Sequence, residues 1–287
     1  VLQFTSTTTG ERAVIKLNGA DHFIFDSLTI NATGTTTAQY GFGVQLLSNA
    51  DSNIVRKCSI NITDALTSTN YAGIAISASA TSATTTGSTE CDNNLFEDNV
   101  ITGGYYGITN VGSSTIANQR NKFLRNTIKD FYLYGIYTNG TFQSEIEGND
   151  ISRPARSNLA TGTSYGIYFT GLSTSAKVNA NRIHGMLDAD QTSTNDVYGI
   201  YFTGVDALAG LENVVSNNAI YNMRSNGAVY GIYNAGSDNV NYHHNTISLD
   251  HTTSTTTEVT RAFYQTTAAS GIDFRNNLVT LRRGGTG

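Results

Sequence analysis

The sequence predicts an all-β fold, a single-stranded, right-handed parallel β-helix of about nine coils, on three observations. A Tyr-Gly-Ile-Tyr signature recurs at a near-constant step along the chain. An Asn-x-Ile signature alternates strictly with it. The composition suits strands joined by tight turns: charged residues are 14% of the chain, Thr, Ser, Asn and Gly abound, and there is one proline and no tryptophan.

The first signature reads Tyr134-Gly135-Ile136-Tyr137, Tyr165-Gly166-Ile167-Tyr168, Tyr198-Gly199-Ile200-Tyr201 and Tyr230-Gly231-Ile232-Tyr233. Looser copies are Tyr106-Gly107-Ile108, Ala72-Gly73-Ile74, Tyr40-Gly41-Phe42 and Arg261-Ala262-Phe263-Tyr264. Aligned on Gly41, Gly73, Gly107, Gly135, Gly166, Gly199, Gly231 and Ala262, the steps are 32, 34, 28, 31, 33, 32 and 31 residues. The second signature begins at Asn99, Asn126, Asn149, Asn181, Asn218, Asn245 and Asn277, with Leu28-Thr29-Ile30 and Cys58-Ser59-Ile60 as degenerate early copies.

Between the two lies a short alternating stretch, such as Ser144-Glu145-Ile146-Glu147 or Ala176-Lys177-Val178-Asn179. Period-two alternation marks a strand with one buried face. Each coil therefore carries three short strands. Strands so close in sequence cannot pair with each other as parallel neighbours. Each pairs instead with its counterpart one coil on, about 4.8 Å away. Three parallel sheets result, wound around Ile, Val, Leu and Phe. The Asn and Gly before the third strand suit corners that need left-handed backbone, and stacked Asn side chains can hydrogen-bond as a ladder. An α-helical repeat would need amphipathic runs and a leucine-rich repeat its Leu-x-x-Leu-x-Leu frame; neither is present.

The signatures run without a break, so residues 1–287 read as one domain. The abrupt ends read as a mature product or a fragment whose flanking domains would cap the end coils. A net charge of −5 with no Lys/Arg run argues against nucleic acid and anionic membranes as partners. No apolar stretch is long enough to insert into a bilayer. Cys58 sits where other coils carry the ladder Asn, and Cys91 falls eight residues before Asn99. They are out of register, which leaves a disulfide or two buried thiols open.

These repeats resemble those of the pectin-lyase-like right-handed β-helix superfamily, in particular the Asn-x-Ile coils of large secreted and cell-surface bacterial proteins. The Thr/Ser/Asn-rich, proline-poor style is similar to surface proteins of Bacteroidetes. The resemblance covers residues 12–281 and implies an extracellular or cell-surface location. It does not choose among functions, because the fold carries lyases, hydrolases, esterases, tailspikes and adhesins.

If Ile136, Ile167, Ile200 and Ile232 point inward, Tyr137, Tyr168, Tyr201, Tyr233 and Tyr264 form an outward ladder. Such a strip offers apolar and CH–π contact to sugar rings, or it stabilises itself under loops. On the binding reading, Tyr201→Ala weakens glycan retention and leaves thermal unfolding nearly unchanged. Most length variation falls between Asn-x-Ile and the next Gly-Ile-Tyr. Ile101 to Gly107 takes 6 steps, whereas Ile151 to Gly166 takes 15, Ile183 to Gly199 takes 16 and Ile247 to Ala262 takes 15. Loops 152–164, 184–197 and 248–260 then wall a shallow groove beside the ladder.

For catalysis, Glu145 and Glu147 flank inward Ile146 and both point outward. They resemble the paired glutamates that hold Ca²⁺ in chondroitinase- and alginate-lyase-like enzymes, but Ser152 and Arg153 stand where that resemblance calls for a Lys. Asp188 and Asp190 are a second candidate Ca²⁺ pair, in the 184–197 loop. Arg182-Ile183-His184-Gly185 resembles the Gly-His-Gly strand of polygalacturonase-like hydrolases without that family's carboxylates. No other cofactor is implied. The expectation is a non-catalytic extracellular module, structural or adhesive, with a polysaccharide or cell-surface glycan as partner along the Tyr ladder. The alternative is a polysaccharide lyase or glycoside hydrolase acting in the same groove. An ice- or mineral-binding solenoid would need an outward Thr-x-Thr ladder, and these threonines sit mostly in loops.

Overall fold

The computed structural model describes residues 1–156 and 162–285, and among these there is no helix. Three parallel sheets of ten, nine and nine strands wind as a right-handed solenoid of about nine turns. One coil shows the plan: Tyr134–Asn139 in the first sheet, Glu145–Glu147 in the second and Asp150–Ser152 in the third. Each strand pairs with its counterpart one coil away, with Ile136 on Ile167, Ile146 on Val178 and Ile151 on Ile183. Those six side chains are fully buried. Stacked Phe96–Phe123 and Phe169–Phe202 fill the wider parts of the interior, with centroids 5.3 and 4.6 Å apart.

The Asn of each Asn-x-Ile points inward as a rung. Asn149 Nδ2 donates to Asn181 Oδ1 at 2.9 Å and to the Phe123 carbonyl at 2.8 Å, while its Oδ1 accepts the Asn126 backbone N–H at 2.9 Å. The same pattern links Asn99, Asn126, Asn181, Asn218, Asn245 and Asn277. A turn backbone that would otherwise be buried unpaired is thereby satisfied. Cys58 takes the position below Asn99, whose Oδ1 accepts the Cys58 N–H at 3.0 Å. The left-handed residue of the corner is the one before the rung: Lys57, Asp98, Arg125, Gly148, Ala180, Asn217, His244 and Asn276. Both cysteines are buried free thiols, and burial pushes Cys91 up to about 12.

The expected register shifts in one early coil. Phe42 pairs with Ala72 and Val44 with Ile74, so Gly43 rather than Gly41 stacks on Gly73. The glycine aligned by identity was two residues early; the core position held by Val44 decides the phase. A second departure concerns the insertions. The segment between Tyr71–Ile76 and Leu95–Glu97 is also long, and it leaves from the next corner. It folds over the outer face of the first sheet, where Gln45 Nε2 donates to the Ser79 and Ala80 carbonyls at 3.3 Å. Its Ala83 packs on Phe42, Ala72, Ala75 and Tyr106 beneath it.

Candidate functional site: the tyrosine face and its bordering clefts

Strict alternation would send Tyr134 inward with Ile136. Instead the alternation breaks at the glycine: Gly135 and Ile136 are both buried, and Tyr134 and Tyr137 both lie on the outer face, half-buried. A Cβ on Gly135 would stand 2.5 Å from the Gly166 carbonyl and 2.7 Å from the Ile151 side chain, so only glycine allows this local packing. The consequence is a second column of rings that sequence parity missed.

Tyr106, Tyr134, Tyr165, Tyr198 and Tyr230 stack in one column, with centroids 4.8–5.5 Å apart and planes within 15°. Tyr137, Tyr168, Tyr201 and Tyr233 stack in the expected one at 4.7–5.3 Å and within 13°, and Tyr264 ends it edge-on to Tyr233 at 72°. Between columns, from Tyr106 to Tyr233, the rings meet at 70–87° and 4.9–6.1 Å. The result is a herringbone of stacked and edge-to-face pairs, the two arrangements that the ring quadrupole favours. Ring faces are turned toward neighbouring rings, so the groove shows ring edges and hydroxyls. Face-on contact with a sugar is open only where a ring lacks a neighbour.

This packing changes what removal of a ring should do. Tyr201 touches Tyr165, Tyr168, Tyr198 and Tyr233. Tyr201→Ala should therefore cost about 2–4 kcal/mol in denaturant unfolding, rather than being nearly neutral. Tyr201→Phe keeps every ring contact and should stay within about 1 kcal/mol.

The phenols are correspondingly hard to ionise. Burial first, then neighbouring tyrosines, pushes Tyr168 up to about 12, and burial also raises Tyr106 to about 12. Tyr134, Tyr165 and Tyr198 are raised by burial and by charges around them. The unfolded chain loses these protons near the ordinary tyrosine value of about 10, before the folded chain does. Their stabilisation is thus fully present below pH 10 and is lost as pH climbs toward 12. Tyrosinate absorbance should lag the free-phenol titration and then rise together with loss of the β-sheet signal.

Loops 184–197 and 248–260 border a cleft there, and residues 157–161 of the 152–164 loop lie outside the described residues. Thr194, Asp196, Asn226 and the Thr255–Glu258 stretch line a cleft of about 680 Å³. Asp196 immediately precedes the strand Val197–Thr203, and its Oδ1 accepts the Ala228 N–H at 2.9 Å. Sequence reading had not singled out Asp196 or Glu258. Lone carboxylates in Thr-rich loops carry no motif, and only the stacking of coils brings them to one cleft.

The other candidates lie elsewhere. Glu145 and Glu147 are on the second sheet, where Lys177 hydrogen-bonds Glu145 at 2.9 Å and also Glu147, and Lys122 pairs with Glu145 at 3.1 Å. Partial burial works against ionisation of Glu145, but hydrogen bonds from Lys177 and Lys122 prevail and hold it at about 2. Both carboxylates are thus paired with lysines of the neighbouring coils. Asp188 lies 3.5 Å from Arg224, and Asp190 accepts the Thr192 hydroxyl at 2.8 Å. His184 bonds Asp150 at 2.9 Å and stacks on Tyr221 at 4.8 Å, while Asp150 also bonds Arg182. His243 pairs with Asp273 at 3.1 Å. Among the described residues, no three His, Cys, Asp or Glu side chains come close enough together to hold a metal ion.

No protein-family model matches the chain, and no curated protein matches it in sequence. Solved structures do share its architecture at low identity. A lacto-N-biosidase from Eubacterium ramulus is 11% identical with a TM-score of 0.47, over 95% of this chain and 50% of that one. The A-module of a mannuronan C-5 epimerase from Azotobacter vinelandii is 15% identical with a TM-score of 0.42, over 92% and 57%. The Dettilon tailspike protein is 14% identical with a TM-score of 0.40, over 88% and 55%. This chain thus spans about half the length of each.

Proposed function

We propose that the chain is a non-catalytic β-solenoid module, working outside the cell, that holds a polysaccharide along its tyrosine face. The observation that carries the reading is the doubled column of tyrosines at an axial repeat of about 4.8 Å, close to the length of one sugar residue in an extended chain. Ring edges supply apolar contact for sugar C–H groups. Hydroxyls and the Thr and Asn side chains of the walling loops supply hydrogen bonds. Tyr137, Tyr168 and Tyr201 have Asn139, Thr170 and Thr203 beside their hydroxyls on the same face. A preformed, stacked surface loses little side-chain entropy on binding. No Asp or Glu stands in either column between Tyr106 and Tyr264, so the face itself is suited to holding rather than cleaving.

One observation favours a second reading. Asp196 and Glu258 share the cleft beside the tyrosines, and paired carboxylates are the machinery of glycoside hydrolysis. Release of new reducing ends from a panel of plant, algal and host polysaccharides, with and without Ca²⁺, decides between the two. The module reading expects retention on at least one polymer without release. Release that disappears in Asp196→Asn and Glu258→Gln would establish the hydrolase or lyase instead.

A further inference from the structure

We propose that the closed end of the tyrosine groove is a subsite for the acidic group of a sugar, a carboxylate or a sulfate ester, received by Arg12. The inference rests on the glycan-binding reading for the rest of the ligand, and on separate observations for the anion.

The loop that leaves Tyr71–Ile76 covers the outer face of the coils before Tyr134. The positions that carry tyrosines farther along are Ala72, Ala75 and Thr109 there, all fully buried. Small residues make room for the loop, and the loop stops the groove. Where it does so, a cavity of about 300 Å³ is lined by Arg12, Asn70, Thr81, Ser82, Thr84 and Tyr106. Tyr106 belongs both to the cavity and to the tyrosine column, stacking on Tyr134 at 5.5 Å. A glycan lying on the tyrosines would therefore bring its end, rather than its middle, to this cavity.

Arg12 is only 7% exposed. Its Nε donates to the Thr9 carbonyl at 3.0 Å, one Nη1 hydrogen goes to Asn70 Oδ1 at 2.9 Å, and the guanidinium lies 3.9 Å from the Tyr40 ring centre. These contacts fix the plane of the group. Among the described residues no Asp or Glu pairs with it, and burial makes its charge harder to hold. Of five guanidinium hydrogens, the two on Nη2 and one on Nη1 remain to donate to an anion. A buried cation without a counter-charge is costly, and an anion in this cavity would offset that cost. The hydroxyls of Thr81, Ser82 and Thr84 suit the sugar around it.

The test is equilibrium binding to two matched pairs: oligogalacturonate against its methyl ester, and dextran sulfate against dextran, at low and high salt. In one pair at least, the acidic member should bind tenfold or more tightly, with the advantage shrinking in salt, and the pair that shows it identifies the anion. Arg12→Gln and Thr81→Trp, the second blocking the cavity from an exposed position, should each abolish the advantage while thermal melting shows both folded. Equal binding within both pairs, no binding of any probe, or an advantage that survives in a folded Thr81→Trp protein would overturn the inference. Equal binding that is weakened by the paired Tyr168→Phe and Tyr201→Phe changes would leave the groove reading standing alone. An acidic advantage untouched by those changes would leave the Arg12 subsite standing without the groove.

Discussion

Asn149→Ala is expected to remove about 3–6 kcal/mol of stability, a large share of the roughly 5–15 kcal/mol that holds an ordinary domain folded. The side chain is fully buried and closes contacts on three coils. Its loss strands the Asn126 backbone N–H and an Asn126 amide hydrogen in the interior, each at about 1–3 kcal/mol, and leaves a void besides. The control is Asn31→Ala. Asn31 also accepts from a stacked Asn61, at 2.8 Å, but on the outer surface where water replaces the bond. That change should cost about 0.5 kcal/mol or less. Urea unfolding followed by circular dichroism compares the two; equal losses would mean that the inward ladder does not hold the coils together.

Gly199→Ala should be nearly as damaging for a different reason. A Cβ there would lie 2.5 Å from the Gly231 carbonyl and 2.9 Å from the Ile220 side chain, so either the strands separate or the core shifts. Overpacking of this kind costs about 1–3 kcal/mol and occasionally more. The expected loss is at the upper end, because the obstruction is backbone that is itself paired. The same position in the last coil is Ala262, where no further strand of the sheet follows. Ala262→Gly should therefore change stability by about 1 kcal/mol or less. Near-ultraviolet dichroism of the tyrosines should change in Gly199→Ala and not in Ala262→Gly, because the glycine sets both columns.

Coil length, strand number and the Asn ladder were legible in the sequence because a solenoid writes the same local solution once per turn; that the ladder points inward was not. Ile at the core positions and Asn at the corner recur for reasons visible one coil at a time. What was not legible arises between coils or against the pattern. The Tyr134 column was hidden because alternation, a sound rule for regular strands, fails at a glycine pressed against the next coil. The Gly43 register was missed because a glycine two residues away looked like the repeat. Glu145 and Glu147 read as a candidate Ca²⁺ pair, and their ion pairs went unseen because Lys122 and Lys177 lie on other coils. Arg12, Asp196 and Glu258 carry no motif at all. They acquire meaning only from the loops that close one end of the tyrosine face and wall its side.

The most direct test of the account is affinity electrophoresis through gels holding each polysaccharide of the panel, comparing the wild-type chain with a Tyr168→Phe, Tyr201→Phe double variant. The double variant keeps the herringbone and loses two hydroxyls from the middle of the face, so it should melt within a few degrees of wild type. Binding along the tyrosine face predicts that at least one polymer slows the wild-type chain and slows the double variant markedly less. No retardation by any polymer, or equal retardation of both proteins, would contradict it.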